Sequence, residues 1–435
     1  MTSRALVSLF CGLVLAMFLG SGPAWGTSGD ASESLLLGAE EASSSYADIP
    51  QFGGPSSVGA GLTEDRAPKT PWYRFPGAER RLRPYFDWKE RLNERYGMAF
   101  GVDYTTLYQV ATESAGHENQ AASGIARLFG TWTLVDRGGG SPGSLVFKGE
   151  NRHRLGTDIA PQGLGFEIGY AGLTGQPFND FDWGLTNLYW QQRLFDGRIG
   201  IVGGLVDATD YLDVYGLTNP WTQFSNLSFG LNGTIPAPNQ GLGLAAGAFA
   251  SEHVYVVAGL TDANGDPADP GQGFETFFED AEYFSHVELG WVSSRDRRYL
   301  DNIHVTAWNV DARHDAGTPA GWGMAFSAAW FVNDVWMPFL RGGYGEDGGA
   351  LMEGTVNLGV GRYFAESRDL LAVGVGWGKP QGAGLDDQYT LEVFYRLQLL
   401  DHLAITPMVQ VLVEPALSPD DDVLGVFGLR ARLEL

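Results

Sequence analysis

Apolar and polar residues alternate at every second position over most of the chain, from about residue 98 to its end at Leu435. The stretch QYTLEVFYRLQLLDHLAITPMVQVLVEP shows the pattern most clearly. Because successive side chains of a strand point to opposite faces, it puts an aliphatic set and a polar set on opposite faces. The aliphatic face carries Leu391, Val393, Leu397 and Leu399, and the other face carries Glu392, Arg396 and Gln398.

The same period of two recurs between breaks rich in Gly and Asp, which predicts an all-β domain. We count sixteen or seventeen strands, and one or two of the candidate starts are doubtful. An even number is required if both ends of the sheet lie on the same side of a membrane. The candidate starts lie near Met98, Ala126, Ser144, Leu164, Leu185, Arg198, Phe224, Gly241, Val254, Phe284, Asn302, Trp322, Trp336, Met352, Leu370, Tyr389, Leu403 and Leu424.

Alternation alone fits either a soluble sandwich, with the apolar faces packed together, or a barrel with those faces toward lipid. The strands are about ten residues long, whereas strands of soluble sheets are most often about five or six. The short break at 400–402 is followed by a long acidic connection at 414–423, and aromatic residues cluster at strand ends. A bilayer excludes open sheet edges. We therefore predict a transmembrane antiparallel β-barrel whose aliphatic face meets lipid and whose polar face surrounds water.

The first residues have the features of an export signal. Arg4 precedes the apolar run 5–20, and the small residues Ala24 and Gly26 are suited to cleavage, which predicts a signal peptide over 1–26. The alternative is a membrane anchor, but the run is shorter than the ~20 residues that span a bilayer. The single cysteine, Cys11, lies within this leader.

The residues between the leader and the barrel are predicted to be mostly irregular. Residues 27–81 are rich in Ser, Gly, Ala and acidic residues and lack a sustained apolar period, which indicates a flexible mature N-terminus. A short amphipathic helix follows over 87–96, with Asp87 as its N-cap and Gly97 at its end. The barrel domain is then expected to occupy residues 82–435 together with this helix.

The composition narrows the classes of partner. The formal net charge of −24 disfavours nucleic acid as a partner. The seven histidines show no H-E-x-x-H spacing, and the chain contains no G-x-S-x-G motif. The acidic stretch 262–266 is predicted to be a surface turn because its Gly stands at the wrong position for an EF-hand, and the alternative is a loop stabilised by a bound cation. We predict no catalytic residue, no metal site and no cofactor.

Several motifs together resemble the carbohydrate-selective porins, OprB type, of bacterial outer membranes. They are LEVFYRLQ at 391–398, LAITPMVQ at 403–410, FGLR at 427–430 and LYWQQRLFDGR at 188–198, with the helix at 87–96 and RGGY at 341–344. The resemblance covers about residues 82–435. The chain departs from the family at Leu435, where the family usually ends in Phe, and at Lys89-Glu90, where paired glycines are usual.

The resemblance implies a sixteen-stranded barrel in the cell outer membrane that passes small sugars inward by diffusion, with the short helix at the periplasmic side. The implied partners are small sugars and outer-membrane lipid, in a monomer or a homotrimer. Two other hypotheses remain open. One is an outer-membrane or secreted β-rich enzyme acting on glycan or lipid, and the other is a soluble carbohydrate-binding sandwich.

A sugar-selective channel needs lumen side chains that bond hydroxyl groups. By parity, nine polar residues are candidates for the channel lining: Gln191, Arg193, Arg198, Arg341, Glu392, Arg396, Gln410, Arg430 and Arg432. The alternative is that they form ion-pair ladders that only stiffen the wall. We expect small neutral sugars to pass faster than anions of equal size.

Overall fold

The computed structural model describes residues 52–364 and 368–435. The described residues contain a single closed sheet of sixteen strands. The strands are β1 (Met98–Ala111), β2 (Gln120–Val135), β3 (Gly143–Arg154), β4 (Asp182–Leu194), β5 (Ile199–Val206), β6 (Gly241–Phe249), β7 (Val254–Asp262), β8 (Tyr283–Val292), β9 (Asn302–Val310), β10 (Gly321–Ala329), β11 (Trp336–Asp347), β12 (Met352–Phe364), β13 (Asp369–Pro380), β14 (Gln388–Leu400), β15 (Leu403–Val413) and β16 (Val423–Glu434).

The sheet is antiparallel throughout, and each strand pairs with its neighbours in sequence. β1 pairs with β16, with Asp103 opposite Glu434 and Ala111 opposite Val426, so the sheet closes without a free edge. Closure gives every strand a hydrogen-bonded neighbour on both sides, which strands in a bilayer require. The predicted antiparallel barrel with sixteen strands is confirmed.

The alternation of side chains separates an apolar outer face from a polar inner face. On β16, Phe427 and Leu429 are 52% and 51% exposed on the outer face, whereas Arg430 and Arg432 are 1% and 2% exposed on the inner face. β14 repeats this arrangement, with Glu392 fully buried inside the barrel. The aliphatic rows therefore do not pack on one another, as they would in a soluble sandwich.

The two ends of the barrel differ in the length of their connections. One end has short turns such as 195–198, 250–253 and 401–402, and the other has long loops, of which 155–181 and 207–240 are the longest. In outer-membrane barrels the short turns face the periplasm. We therefore call the short-turn end the periplasmic end.

Two candidate strand starts are wrong. Leu164 lies in the helix α3 (Pro161–Glu167), and Phe224 lies in the loop 207–240. Both are fully or almost fully buried inside the barrel, at 0% and 1% exposure. A short apolar run that is buried by a loop cannot be distinguished from a strand by its periodicity. The other candidate starts correspond one to one to the sixteen strands.

In the part of the chain from residue 52 onward, two helices precede the barrel: α1 (Val58–Arg66) and α2 (Pro76–Tyr96). α2 ends as predicted at Gly97, which has a left-handed φ of 73°, but it begins at Pro76 and not at Asp87. Pro84 lies inside the helix, which made an early start hard to predict. α1 lies within the segment that was predicted to be flexible, so this prediction is wrong for residues 58–66.

Residues 1–51, with the predicted signal peptide, lie outside the described residues. Among the helices of the described part, none combines the length and apolar character that crossing a membrane needs.

Candidate channel and its constriction

The loop 207–240, which we call the inner loop, runs inside the barrel and is bound to the wall by polar side chains. The Glu392 carboxylate accepts hydrogen bonds from the backbone N–H groups of Ser225 and Asn226, at 2.8 and 2.7 Å. The Asn226 side chain donates to Gln410 on β15 at 2.9 Å, and Gln410 in turn donates to the carbonyl of Thr174 at 2.8 Å. Two neighbouring strands thus hold the centre of the inner loop.

Two buried arginines hold other parts of the inner loop. Arg341 on β11 donates to the carbonyl of Gly230 at 2.7 Å and pairs with the carboxylate of Asp213. Arg430 on β16 donates to the carbonyls of Pro220, at 2.8 Å, and Gln223. A buried guanidinium is costly unless its donors are satisfied, so these bonds favour the inner loop in this position.

Aromatic packing seals one side of the barrel interior. Phe224 and Phe229 of the inner loop contact each other, with ring centroids 4.8 Å apart. Phe224 also contacts Phe394 on β14 at 5.0 Å and Phe339 on β11 at 5.9 Å, both edge to face. The contacts of these rings extend over β11 and β14, so the interior is an apolar core on this side and not an open pore.

Residues 52–69, which we call the plug segment, cross the interior at the periplasmic end. Glu64 of α1 pairs with Arg396 on β14 at 2.9 Å, and Asp65 pairs with Arg432 on β16 at 3.1 Å. At the other end of the segment, Phe52 contacts Phe249 of β6 with ring centroids 5.4 Å apart. The plug segment therefore reaches from one wall of the barrel to the other.

The apolar face of α1 packs on the wall formed by β1, β2 and β3. Val58 and Leu62 form a buried cluster with Phe129 and Val146. Gly101 on β1 permits this approach, because a Cβ there would lie 2.5 Å from the Phe129 ring and 2.8 Å from the Asp65 carboxylate. Apolar packing and ion pairs thus stabilise the plug segment together.

A cavity of about 340 Å³ remains between the inner loop, the loop 155–181 and the inner face of β3. Ser56 of the plug segment is part of its lining and donates to Asp210 at 3.2 Å. The lining includes charged, amide and aromatic side chains: Lys148, Arg152, Asn179, Phe181, Asp207, Asp210, Trp221 and Gln240. This combination can bond hydroxyl groups and also cover apolar C–H surface.

The charged groups of the cavity are held by one another. Lys148 lies 3.5 Å from the Asp210 carboxylate, and Asp207 accepts a hydrogen bond from Gln240 at 2.6 Å. The Arg152 guanidinium pairs with Glu150 and lies 4.6 Å from the ring centroid of Phe181. These contacts fix the orientation of the polar groups that a solute would meet.

Burial raises the pKa of two carboxyl groups near the plug segment. The pKa of Asp210 is raised to about 6 by its removal from water, although Lys148 acts in the opposite direction. The pKa of Asp65 is raised to about 7 by burial, against the effect of Arg432. The charges of the cavity and of the plug segment therefore change near neutral pH.

The nine predicted channel residues occupy four different environments. Arg341, Glu392, Gln410 and Arg430 point inward and bind the inner loop, whereas Arg396 and Arg432 point inward and bind the plug segment. Gln191 and Arg193 share one face of β4 with Tyr189, which packs on the α1 cluster.

Arg198 is the exception to the predicted inward placement. It precedes β5 in the turn 195–198 and pairs with Glu252 at the exposed rim of the barrel, at 3.4 Å. None of the nine residues is part of the lining of the 340 Å³ cavity.

The residues of the cavity were missed from the sequence. Lys148, Glu150 and Arg152 stand at alternate positions of β3 and all point inward, so their parity was a signal. Asp207, Asp210 and Trp221 lie in the inner loop, where apolar and polar residues do not alternate regularly and parity therefore gives no prediction. Their position depends on how the inner loop folds back into the barrel.

The model of one protein family, described as carbohydrate-selective porin, OprB family, matches the chain over residues 97–373 and 321–435. The chain belongs to this family. Among solved structures, this porin is similar to the high-pH structure of Pseudomonas putida OprB, with a TM-score of 0.63 and 14% identity over 81% of this chain and 97% of that chain. No curated protein matches the sequence significantly.

Two further structures resemble the porin less closely. The low-pH structure of Pseudomonas putida OprB has a TM-score of 0.49 and 12% identity, over 81% of this chain and 96% of that chain. A mutant of the Rh. blastica porin has a TM-score of 0.44 and 14% identity, over 78% of this chain and 100% of that chain. The family and the closed barrel identify the molecule as an outer-membrane channel for the passive diffusion of sugars.

Proposed function

We propose that small neutral sugars pass through the 340 Å³ cavity between the inner loop and β3, without a cofactor or an energy source. The observation that supports this most directly is that Phe181 and Trp221 line the same cavity as amide and carboxylate groups. Pockets of about 300–1,000 Å³ are typical for small ligands. The cavity therefore has room for a small sugar but not for a long oligosaccharide.

The polar groups of the lining suit a polyol. Asn179 and Gln240 offer amide donors and acceptors, and the carboxylates of Asp207 and Asp210 accept hydrogen bonds from hydroxyl groups. The carboxylates of the lining are Asp207, Asp210, Asp213 and Asp266, against the cations Lys148 and Arg152. This acidic lining disfavours anionic solutes.

The predicted channel residues have a supporting part in this proposal. Arg341, Glu392, Gln410 and Arg430 determine the channel width because they hold the inner loop, and Arg396 and Arg432 do so because they hold the plug segment. We also propose Gln191 and Arg193 as lumen-facing residues of β4. We propose in addition that these residues can bind a sugar as it passes.

Liposome swelling with glucose and glucuronate tests the proposal, because the two solutes are similar in size and differ in charge. Glucose should enter faster, and equal rates for both solutes would reduce the protein to a general diffusion pore. The double variant Asp207→Asn and Asp210→Asn should narrow the difference by admitting glucuronate. The matched control is Asp196→Asn, in the exposed turn 195–198.

Three finer points complete the proposal. The leader 1–26 directs export and is removed, which N-terminal sequencing of the purified protein tests. The protein has no catalytic activity, and turnover of a chromogenic ester or glycoside in detergent would contradict this. The cavity lies within one chain, so we propose that each barrel conducts by itself, as a monomer or within a homotrimer.

A further inference from the structure

The helix α2 lies against the outside of the barrel at its periplasmic end. The ring of Trp88 contacts Phe100 edge to face, with centroids 5.6 Å apart. Phe100 faces outward on β1, because its neighbours Ala99 and Gly101 face the plug segment inside. The contact therefore places α2 on the outer, lipid-facing side of the wall.

Further contacts trace the path of α2 along the rim. The indole N–H of Trp132, which is on the outer face of β2, donates to the carbonyl of Tyr96 at 3.1 Å. The Lys89 ammonium donates to the carbonyl of Leu435 at 2.9 Å, and the ring of Phe86 stacks on His402 at 4.8 Å. The helix thus follows the rim from the turn between β14 and β15, past the end of β16, to β1 and β2.

Exposed aromatic groups occur in the segment before α2 and on α2 itself. None of its residues is buried. Trp88 is 46% exposed, and in the segment before the helix Trp72, Tyr73 and Phe75 are 59–60% exposed. Large exposed aromatic residues mark interaction sites, and Trp and Tyr are typical of the interface between a membrane and water.

The charge of this region is opposite to that of the chain as a whole. Residues 66–96 hold nine Lys and Arg but four Asp and Glu, whereas the full chain holds 28 and 52. Arg80, Arg81, Arg83, Arg91 and Arg95 make no ion pair with a carboxylate in the part of the chain that the structure describes. A basic helix with exposed aromatic residues binds at an interface that carries negative charge.

We propose that α2 binds the anionic phospholipid headgroups of the periplasmic leaflet beside the barrel. The exposed aromatic residues lie at the level of the headgroups, and the unpaired arginines bind lipid phosphate. Lipid is the partner that the position favours, because Phe100 and Trp132 connect α2 directly with the outer face of the wall. The helix holds the periplasmic end of the barrel at a fixed depth in the membrane.

A fluorescent probe on α2 tests its position. The only cysteine of the chain is Cys11 in the predicted leader, so the variant Gly77→Cys of the mature protein carries a single thiol. A side chain at residue 77 meets open space, and Ser251→Cys in the exposed turn 250–253 at the same end of the barrel is the matched control. Bimane is attached to each, and the proteins are placed in phosphatidylcholine vesicles with and without phosphatidylglycerol.

The probe at residue 77 should be quenched by nitroxide-headgroup lipid and shielded from iodide, more strongly when phosphatidylglycerol is present. The probe at residue 251 should remain open to iodide in both kinds of vesicle. Equal behaviour of the two probes would overturn the proposal. A cysteine cross-link between two copies through residue 77, without quenching by lipid, would assign the surface to a second chain and would also overturn it.

The charge of the helix is tested separately by native mass spectrometry of the protein with phosphatidylglycerol in detergent. The double variant Arg81→Gln and Arg83→Gln should weaken lipid retention several-fold. The control removes the same charge elsewhere, through Arg154→Gln and Arg295→Gln, whose side chains pair with Asp180 and Glu252. Equal loss in both variants, or equal retention of phosphatidylcholine and phosphatidylglycerol by the wild type, would contradict recognition of the anionic headgroup.

Discussion

The carboxylate of Glu392 on β14 accepts hydrogen bonds from the backbone N–H of Ser225, at 2.8 Å, and from the N–H of the residue that follows it, at 2.7 Å. One fully buried wall residue thus satisfies two consecutive donors at the centre of the inner loop. Both bonds would be lost if the inner loop moved away from the wall. This relationship links the fold of the wall to the width of the channel.

We predict that Glu392→Gln loosens the inner loop. The glutamine side chain has one acceptor oxygen, and its NH₂ group would face the second N–H donor. A buried donor without a partner costs about 1–3 kcal/mol. Urea unfolding in lipid vesicles should show this loss, and single-channel recordings should show additional conductance levels.

The control for this prediction is Glu353→Gln. Glu353 pairs with Lys379 at 2.7 Å on the surface, where the two side chains are 37% and 45% exposed. Exposed pairs contribute about 0–1 kcal/mol, so the control should change stability little and conductance not at all. If both variants behaved like the wild type, Glu392 would not be needed to hold the inner loop.

The plug segment should respond to reversal of its ion pair with β14. Glu64→Arg places a cation beside Arg396, and Arg396→Glu places an anion beside Glu64, so each change creates repulsion where the wild type has a pair at 2.9 Å. Each single variant should raise the conductance because the plug segment is displaced. The double variant should recover the wild-type conductance, because it restores a pair of opposite charges.

Glu252→Arg provides the matched comparison, since Glu252 pairs at the exposed rim with Arg198 and Arg295 and is remote from the plug segment. It should leave the conductance unchanged. Additive effects of the two plug variants, without recovery in the double variant, would show that this ion pair does not hold the plug segment.

Residues on the strands could be predicted from the sequence because their environment follows a fixed period. Leu391 and Glu392 are neighbours on β14 and face opposite sides, and parity assigns each correctly. The closure of the sheet could be predicted from the same pattern. Long strands with one apolar and one polar face indicate a sheet in lipid, and such a sheet cannot have an open edge. The family resemblance added the number of strands.

The contents of the barrel could not be predicted in the same way. Phe224 and Leu164 have the local pattern of strand residues, yet both belong to connections that fold into the lumen. Glu64 lies in a segment of low apolar content, and its helix is stabilised by partners such as Arg396, which are distant in sequence. Such partners depend on tertiary structure, which overrides local propensity.

The outward position of the aliphatic rows makes a prediction about Leu358. This residue is 44% exposed near the middle of β12 and lies opposite Leu340 of β11, which is 47% exposed. An arginine at the middle of the lipid face of a barrel costs about 2–4 kcal/mol. Leu358→Arg should reduce the free energy of unfolding in vesicles by about this amount.

Leu358→Ala is the control, because it removes the aliphatic side chain without adding charge. It should cost less than Leu358→Arg. A similar cost for both variants in vesicles would mean that water reaches this part of the wall, and the position of β12 in the membrane would have to be revised.

The pKa of Asp210 leads to a prediction about pH. Burial raises this pKa from its ordinary value of 3.8 to about 6, so the group is ionised at pH 7.5 and mostly protonated at pH 5. The cavity lining loses one negative charge over this range. The preference of the channel for cations over anions, measured as the reversal potential in a salt gradient, should therefore fall as the pH is lowered through about 6.

The raised pKa of Asp210 also determines the direction in which the stability of the folded protein changes with pH. Between pH values of about 4 and 6 the folded protein binds more protons at Asp210 than the unfolded chain, whose pKa is the ordinary one. The contribution of this group to stability is thus present at low pH and is lost as the pH rises through that range.

Asp210→Asn should remove both this dependence of stability on pH and the change in reversal potential, whereas Asp196→Asn in the exposed turn should keep both. If the change in reversal potential persisted in Asp210→Asn, the titration would belong to another group. Asp65 of the plug segment, whose pKa is about 7, would then be the next residue to substitute.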